Sequence, residues 1–182
     1  MNGVNVMRGF SMIEVLVALL VIATGTLGMF ALQAQALRHT LDANLRGNAV
    51  MLADDLLELM RSNRGALLDA SGALPADESA YYKAKGQGFP SAPPSCGNRQ
   101  RGAGGSGVAG GDLGCWAQQV RTSLPVDDKL LQDYRICRSA APGTCSQGAG
   151  SAVMIELFWS DPRADAALCA NQQCSYTLRA EL

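Results

Sequence analysis

The stretch from Gly9 to Leu32 constrains the fold of this chain more than any other. It reads GFSMIEVLVALLVIATGTLGMFAL, an apolar run in which Glu14 is the only charged residue. At about 1.5 Å per residue it makes a helix of roughly 35 Å, enough to cross a hydrocarbon core of about 30 Å. A lone carboxylate inside a bilayer costs about 2.5–3.5 kcal/mol. The run therefore predicts a membrane helix whose Glu14 needs a partner from elsewhere.

Charge and length limit the class of protein. The 182 residues carry a formal net charge of −1, which suits one globular domain with an appendage and gives no reason to expect a nucleic-acid partner. The leader before Gly9 fits a secretory signal poorly, although a signal-peptidase cut near Ala34 or Ala36 stays open as an alternative. Arg8 and the amino terminus predict a cytoplasmic amino-terminal side, with most of the chain outside the cytoplasm.

Helical periodicity continues beyond the apolar run. No proline interrupts the first 74 residues, and charged pairs recur at helical spacing at Asp42–Arg46 and Glu58–Arg61. We predict one helix from Ser11 to Ser62, closed by a left-handed Gly65, with the second half of the helix lying on an apolar surface. The apolar side chains that repeat every three or four residues form one stripe: Leu37, Leu41, Leu45, Ala49, Leu52, Leu56 and Leu59.

The remainder of the chain predicts a small mixed domain. Residues 65–111 are rich in Ala, Gly, Ser and Pro and are interpreted as an irregular loop region. A short helix is predicted from Asp112, as its N-cap, to Leu124, with Pro125 as the stop. Residues 133–138, 152–160 and 175–182 predict strands. Three or four antiparallel strands laid on the apolar stripe would bury both faces, so the predicted fold class is α+β.

The cysteines favour disulfides in an exported domain, because all six lie beyond residue 95 and their number is even. The sequence alone allows many pairings. We favour sequential pairs, since each would tie a loop to an element beside it: Cys96–Cys115, Cys137–Cys145 and Cys169–Cys174.

Patterns for metal binding or catalysis are weak. No C-x-x-C occurs, and the single histidine, His39, falls on the predicted long helix. The carboxylates of Asp54, Asp55 and Glu58 are interpreted as a solvated helix face. Gly102–Gly107 matches G-x-G-x-x-G but neither follows a strand nor opens a helix, so it is interpreted as a flexible loop. We therefore expect no metal, no cofactor, no small-molecule substrate and no enzymatic activity.

Residues 9–14, reading GFSMIE, follow Arg8 and precede the apolar run, and this pattern resembles the class III signal of type IV prepilins. The resemblance implies that a prepilin peptidase cuts between Gly9 and Phe10 and that Phe10 becomes the N-methylated terminus. It also makes Glu14 the glutamate of the family. Cutting creates an ammonium at Phe10, which on a neighbouring helix would supply the partner that Glu14 lacks.

Within that class, the run from Glu14 to Gln33 and the segment from Asp112 to Pro125 resemble the PilV-type minor pilins, the type IV pilus modification proteins. The resemblance does not cover residues 65–111. It implies a leader over residues 1–9 and a long helix over 10–62, of which 10–32 is the membrane and filament-core half. Residues 63–182 would form a disulfide-containing head.

The same resemblance implies a subunit held in the inner membrane with its head in the periplasm and then moved into a type IV pilus at the cell surface. Its partners would be the prepilin peptidase/methyltransferase, other minor pilins near the tip and the major pilin, with a role in assembly or priming. Two alternatives stay open. A minor pseudopilin of a type II secretion system shares the processing signal, whereas a membrane-anchored periplasmic binding module needs no cut at Gly9.

Overall fold

The computed structural model describes residue 9, residues 11–68, residue 71, and residues 78–97, 101–164 and 167–182. The expected leader segment 1–8 and Phe10 lie outside the described residues. The chain divides into two compact units, Met1–Leu41 and Asp42–Leu182.

The first element is the helix α1, Met12–Ser62, which confirms the prediction of one long helix. Its first turn is closed by the Ser11 carbonyl, which accepts hydrogen bonds from the Glu14 and Val15 backbone N–H groups at 3.0 and 3.4 Å. Both predicted ion pairs form along its surface, Asp42–Arg46 at 3.1 Å and Glu58–Arg61 at 2.7 Å.

The prediction for the end of α1 is wrong at Gly65. The helix stops at Ser62, and residues Arg64–Ala66 form a 3-10 turn in which Gly65 does not have a positive φ. A left-handed glycine usually satisfies the last helical carbonyls. Here the Arg101 guanidinium does so instead, since its Nη2 donates to Leu59 O at 3.2 Å.

The second helix, α2, spans Gly105–Ser123 and begins earlier than the predicted Asp112. The loop interpretation of Gly102–Gly107 is therefore wrong for its last three residues. Gly104 and Gly105 have φ of +59° and +81°, so glycine permits the turn into the helix. Tertiary contact then decides the outcome, because Gly105 exchanges two backbone hydrogen bonds with the Asn63 side chain. The helix ends before Pro125, as predicted.

Two glycines of α2 are expected to respond oppositely to alanine. A Cβ at Gly114 would lie 2.7 Å from Ser91 O and 2.9 Å from the Ala92 backbone, whereas a Cβ at Gly110 meets nothing within 4 Å. We expect Gly114→Ala to lower the free energy of unfolding by about 2 kcal/mol. Gly110→Ala should raise it by about 0.5–1 kcal/mol, because alanine favours a helix interior. Urea unfolding of the full chain in detergent checks both, and equal effects would mean that the 91–92 loop moves aside freely.

The remaining elements are one short helix and three strands. The helix α3, Asp128–Asp133, was not predicted, and its N-cap Asp127 Oδ1 accepts from the Leu130 N–H at 2.7 Å. The strands are β1 Arg135–Ser139, β2 Ala152–Ser160 and β3 Gln173–Glu181. They form an antiparallel sheet in the order β1-β2-β3. A long helix followed by a small antiparallel sheet confirms the α+β class.

The core of the second unit lies between α1, α2 and the sheet. Buried side chains of Ala49, Leu52 and Leu56 belong to the same cluster as those of α2 and β2. The indole Nε1 of Trp116 donates to Leu52 O at 2.7 Å, which fastens α2 to α1. The core side chains contributed by α2 and the sheet are Ala109, Leu113, Trp116, Val120, Ile136, Val153, Ile155, Leu157 and Trp159.

Candidate assembly interface

The apolar half of α1 is exposed along its length. Exposure of its large hydrophobic side chains runs from 48% at Leu41 to 87% at Met12. Within the part of the chain that is described, α1 is also the one helix that is long and apolar enough to cross a membrane. An apolar surface of this extent needs cover from lipid or from other helices. The exposed side chains are Met12, Ile13, Val15, Leu16, Val17, Leu19, Leu20, Val21, Ile22, Leu27, Met29, Phe30, Leu32, Leu37 and Leu41.

Gly9 and Glu14 lie at the start of this surface. Gly9 is exposed, and Glu14 is exposed in the first turn of α1. Among the described residues, Glu14 has no ion-pair partner. The hydroxyl groups of this half bond carbonyl groups of α1 itself: the Thr24 hydroxyl, for example, lies 3.0 Å from both the Leu20 and the Val21 carbonyl oxygen. Glu14 is the one charged residue of the apolar run, and a partner for its carboxylate must come from outside α1.

Comparison with family models matches residues 5–30 to the prokaryotic N-terminal methylation motif. The chain carries this methylation motif. The motif indicates a type IV pilin-like or pseudopilin protein, and proteins of this kind are structural rather than catalytic. No curated protein and no solved structure gives a match to the chain.

The methylation motif accounts for the exposed surface. Its 26 matched residues, 5–30, include Gly9, Phe10 and Glu14 and most of the apolar half of α1. The motif implies processing by a prepilin peptidase and a setting in pilus assembly, and with the apolar helix it indicates membrane anchoring. The match does not extend into the head and does not single out the PilV type.

The carboxyl-terminal end of α1 is held in the head by a buried polar network that the sequence did not reveal. Asp112, predicted as an N-cap, is instead fully buried inside α2. Arg101 binds it twice, with Nε 3.1 Å from Oδ1 and Nη2 2.9 Å from Oδ2. The same Arg101 Nη2 also donates to Leu59 O and to Ser62 Oγ at the end of α1. One guanidinium therefore joins α1 to α2.

Tyr81 and Asn63 complete this network. The Tyr81 hydroxyl lies 2.6 Å from Asp112 Oδ2, and Asn63 Nδ2 donates to the Tyr81 hydroxyl at 3.2 Å. Burial and the hydrogen bond to Asp112 raise the pKa of Tyr81 to about 12, while the bond to Asp112 raises the pKa of Arg101. Both groups keep their protons at neutral pH, so the network is a fixed structural link.

Arg46 makes a second link between α1 and the rest of the second unit. Arg46 places its guanidinium carbon 6.0 Å from the centre of the Trp159 ring and its Nη2 3.8 Å from Cys169 Sγ. Its Nε also bonds Asp42, so the Arg46 side chain is held on three sides. This contact joins α1 to the β2–β3 connection.

All six cysteines form disulfides in the structure, in the sequential order that the sequence favoured. Their Cα atoms lie 5.6, 5.6 and 4.3 Å apart. The first pair ties the proline-rich loop to α2, the second ties the loop after β1 back to that strand, and the third flanks the turn before β3. The pairs are Cys96–Cys115, Cys137–Cys145 and Cys169–Cys174.

The described residues contain no group of three or more His, Cys, Asp or Glu side chains that could hold a metal ion. Asp54, Asp55 and Glu58 lie on an exposed helix face, where Asp55 accepts a hydrogen bond from the side chain of Gln119. His39 is exposed on α1.

Lys83 is the described amine most altered by its surroundings. Burial lowers the pKa of Lys83 to about 8. Its ammonium donates to Tyr134 O at 2.9 Å and to Gln132 O at 3.1 Å, and its backbone bridges to Ile136. The side chain thus holds its own loop against the residues that lead into β1.

Proposed function

We propose that the chain is a minor pilin subunit of a type IV pilus, processed between Gly9 and Phe10 and N-methylated at Phe10. The supporting observation is a single continuous feature: the methylation motif begins a helix whose apolar half is exposed over its whole length. In this proposal residues 1–9 are the leader, 10–62 the long helix and 63–182 the head.

The proposed mechanism is packing. Once the leader is removed, the new Phe10 ammonium carries the positive charge that the apolar run lacks. The Phe10 ammonium of one subunit would pair with Glu14 of a neighbouring subunit. This pair would remove the cost of an unpaired carboxylate in an apolar surrounding. Van der Waals contact between helices would bury the exposed side chains of residues 12–32.

The proposed path begins in the inner membrane, with the head in the periplasm, and continues into the pilus. There the subunit would act near the tip with other minor pilins in assembly or priming, as PilV-type proteins do, and meet the major pilin. The three disulfides suit an oxidising compartment. No catalytic step is proposed, because the polar groups of the network and Lys83 serve structural contacts.

Mass spectrometry of the mature amino terminus tests the processing step. We expect a terminus at N-methyl-Phe10. An intact leader would favour an anchored binding module, and a terminus near Gln35 would mean cleavage by signal peptidase; either result contradicts the proposal.

The type II pseudopilin alternative is favoured by the same motif and needs a separate experiment. Deletion of the chain should reduce the number of surface pili. The pili are counted both in cells that retract their pili and in cells in which retraction is blocked. Unchanged pili together with a secretion defect would assign the chain to a secretion system.

A further inference from the structure

The two outer edges of the β1-β2-β3 sheet differ in how the chain covers them. On the β1 edge, Ile136 exchanges two backbone hydrogen bonds with Lys83, at 2.8 and 3.0 Å. The Ser146 N–H also donates to Arg138 O on that edge, at 2.9 Å. Beyond Gln173, the β3 edge has no such cover among the described residues. An uncovered strand edge is a template for pairing with another polypeptide, and folded proteins usually protect it.

The register of β2 and β3 shows which backbone groups face the open edge. The Asp161 N–H donates to Gln172 O at 2.9 Å, and this pair continues the β2–β3 register by one step. In an antiparallel ladder, pairs that exchange hydrogen bonds alternate with pairs whose N–H and C=O groups point away from each other. The even-numbered residues of β3 therefore bond β2, and the backbone groups of its odd-numbered residues face outward.

Contacts at the two ends of β3 agree with this assignment and limit the open edge. The Gln173 N–H donates to Ala170 O at 2.9 Å, and Glu181 O accepts from Arg61 Nη2 at 3.3 Å. Neither contact involves β2, as expected for odd-numbered residues. In the described part of the chain, the three N–H and three C=O groups between these ends have no hydrogen-bond partner. They belong to Ser175, Thr177 and Arg179.

The side chains of β3 give the open edge one apolar and one polar side. Those of the three outward-facing residues are exposed, whereas alternate apolar side chains are half-buried and pack against the core. β3 also lacks the proline and lysine residues that often protect an edge strand. An added strand would extend the apolar side and cover side chains that are now only half-buried. These are Tyr176, Leu178 and Ala180.

We propose that the outer edge of β3 binds an extended segment of a second polypeptide, which adds a fourth strand to the three-stranded sheet over residues 175–179. Free N–H and C=O groups at strand spacing match the backbone of an extended peptide, whose alternate side chains then supply specificity. The segment would carry apolar side chains at every other position. A second copy of this chain could offer only its own β3, because its β1 edge is covered. The edge is available whether or not the subunit enters pili.

Residue-resolved amide hydrogen exchange of the full chain in detergent tests this edge. The probe is a synthetic peptide in which valine and threonine alternate between terminal lysines. Without it, the Ser175, Thr177 and Arg179 N–H groups should exchange faster than those of Tyr176 and Leu178, which bond β2. With peptide at about millimolar concentration, exchange at the three outward-facing amides should slow about tenfold.

Three results would overturn the proposal. Slow exchange of the outward-facing amides without peptide would mean that the edge is already covered, and slowing that grows with the protein concentration would assign the edge to a second copy. No slowing with peptide, or slowing only elsewhere in the chain, would mean that the edge does not accept a strand.

Two substitutions at Thr177 separate backbone pairing from side-chain contact. Thr177→Pro removes the outward N–H and leaves the ladder with β2 intact, because that N–H does not bond β2. We expect it to bind the peptide at least about tenfold more weakly, whereas Thr177→Ala, which keeps the N–H, should bind within about twofold of the wild type. Slow exchange at Tyr176 and Leu178 checks that the sheet of the proline variant is intact. Equal binding by the two variants would contradict backbone pairing, and if Thr177→Pro does not fold, the exchange experiment on the wild type decides.

Discussion

Replacing Glu14 with alanine is expected to reduce incorporation of the subunit into pili at least about tenfold, without loss of export or of head folding. The reason is local. Glu14 is exposed in the first turn of α1 and has no ion-pair partner among the described residues. If a neighbour's Phe10 ammonium is its partner, the variant leaves that ammonium unpaired among apolar side chains, and even about 1.4 kcal/mol corresponds to a factor of ten.

Two further variants separate charge from shape. Glu14→Gln keeps the size and one hydrogen-bond acceptor but removes the charge, so its incorporation should lie between those of the wild type and the alanine variant. Thr24→Ala removes another polar group from the same half of α1, yet the Thr24 hydroxyl bonds only carbonyls of its own helix. It should therefore leave incorporation unchanged. Quantitative immunoblots of sheared pili and of membranes measure all three, and normal incorporation of Glu14→Ala would remove the pairing argument.

The regular parts of the fold could be predicted because local pattern and tertiary packing agree there. The helix over 12–62 has unbroken periodicity, and β2 was predicted with its observed bounds, 152–160. In that strand the apolar side chains that alternate along one face, including Val153 and Trp159, are buried.

The errors lie where distant contacts decide the local structure. The stretch before Asp112 is rich in glycine and has little intrinsic preference for a helix. It becomes helical because Asn63, more than forty positions away, bonds Gly105 and because Ala109 and Leu113 enter the core. A long-range contact also decides the end of α1, where the Arg101 guanidinium, and not a left-handed Gly65, bonds the Leu59 carbonyl. Spacing along the chain does not encode a partner at that distance.

The exposed apolar half of α1 was easier to anticipate than the turn Ala170–Gln173, which comes just before β3. An apolar run of membrane length with one carboxylate can be recognised from the sequence alone, and the motif at its start identifies Gly9, Phe10 and Glu14 as candidate functional residues. The positive φ of Gln172 follows from closing a turn inside the Cys169–Cys174 disulfide. Glutamine in that position carries no sequence signal of its own.

Replacing Asp112 with alanine is expected to lower the free energy of unfolding of the head by about 3 kcal/mol. Removing one member of a buried ion pair typically costs 3–5 kcal/mol, because the remaining charge stays desolvated. We expect a cost at the lower end of that range, because the Arg101 side chain is 31% exposed and keeps its hydrogen bonds to Leu59 and Ser62. Asp128→Ala is the matched control: its carboxylate also pairs with an arginine at 2.9 Å but is 85% exposed. That variant should change stability by less than about 0.5 kcal/mol.

Urea unfolding of the detergent-solubilised full chain, with its disulfides intact, measures both variants, and the Arg101→Ala change then decides how the network acts. If Arg101 and Asp112 work as one link between α1 and α2, the double variant should cost clearly less than the sum of the two single changes, by about 1–3 kcal/mol. Additive costs would mean that Asp112 is held mainly by Tyr81. A coupling energy of that size would instead mean that one guanidinium, that of Arg101, attaches the long helix, because it bonds the last turn of α1 and the interior of α2 at the same time.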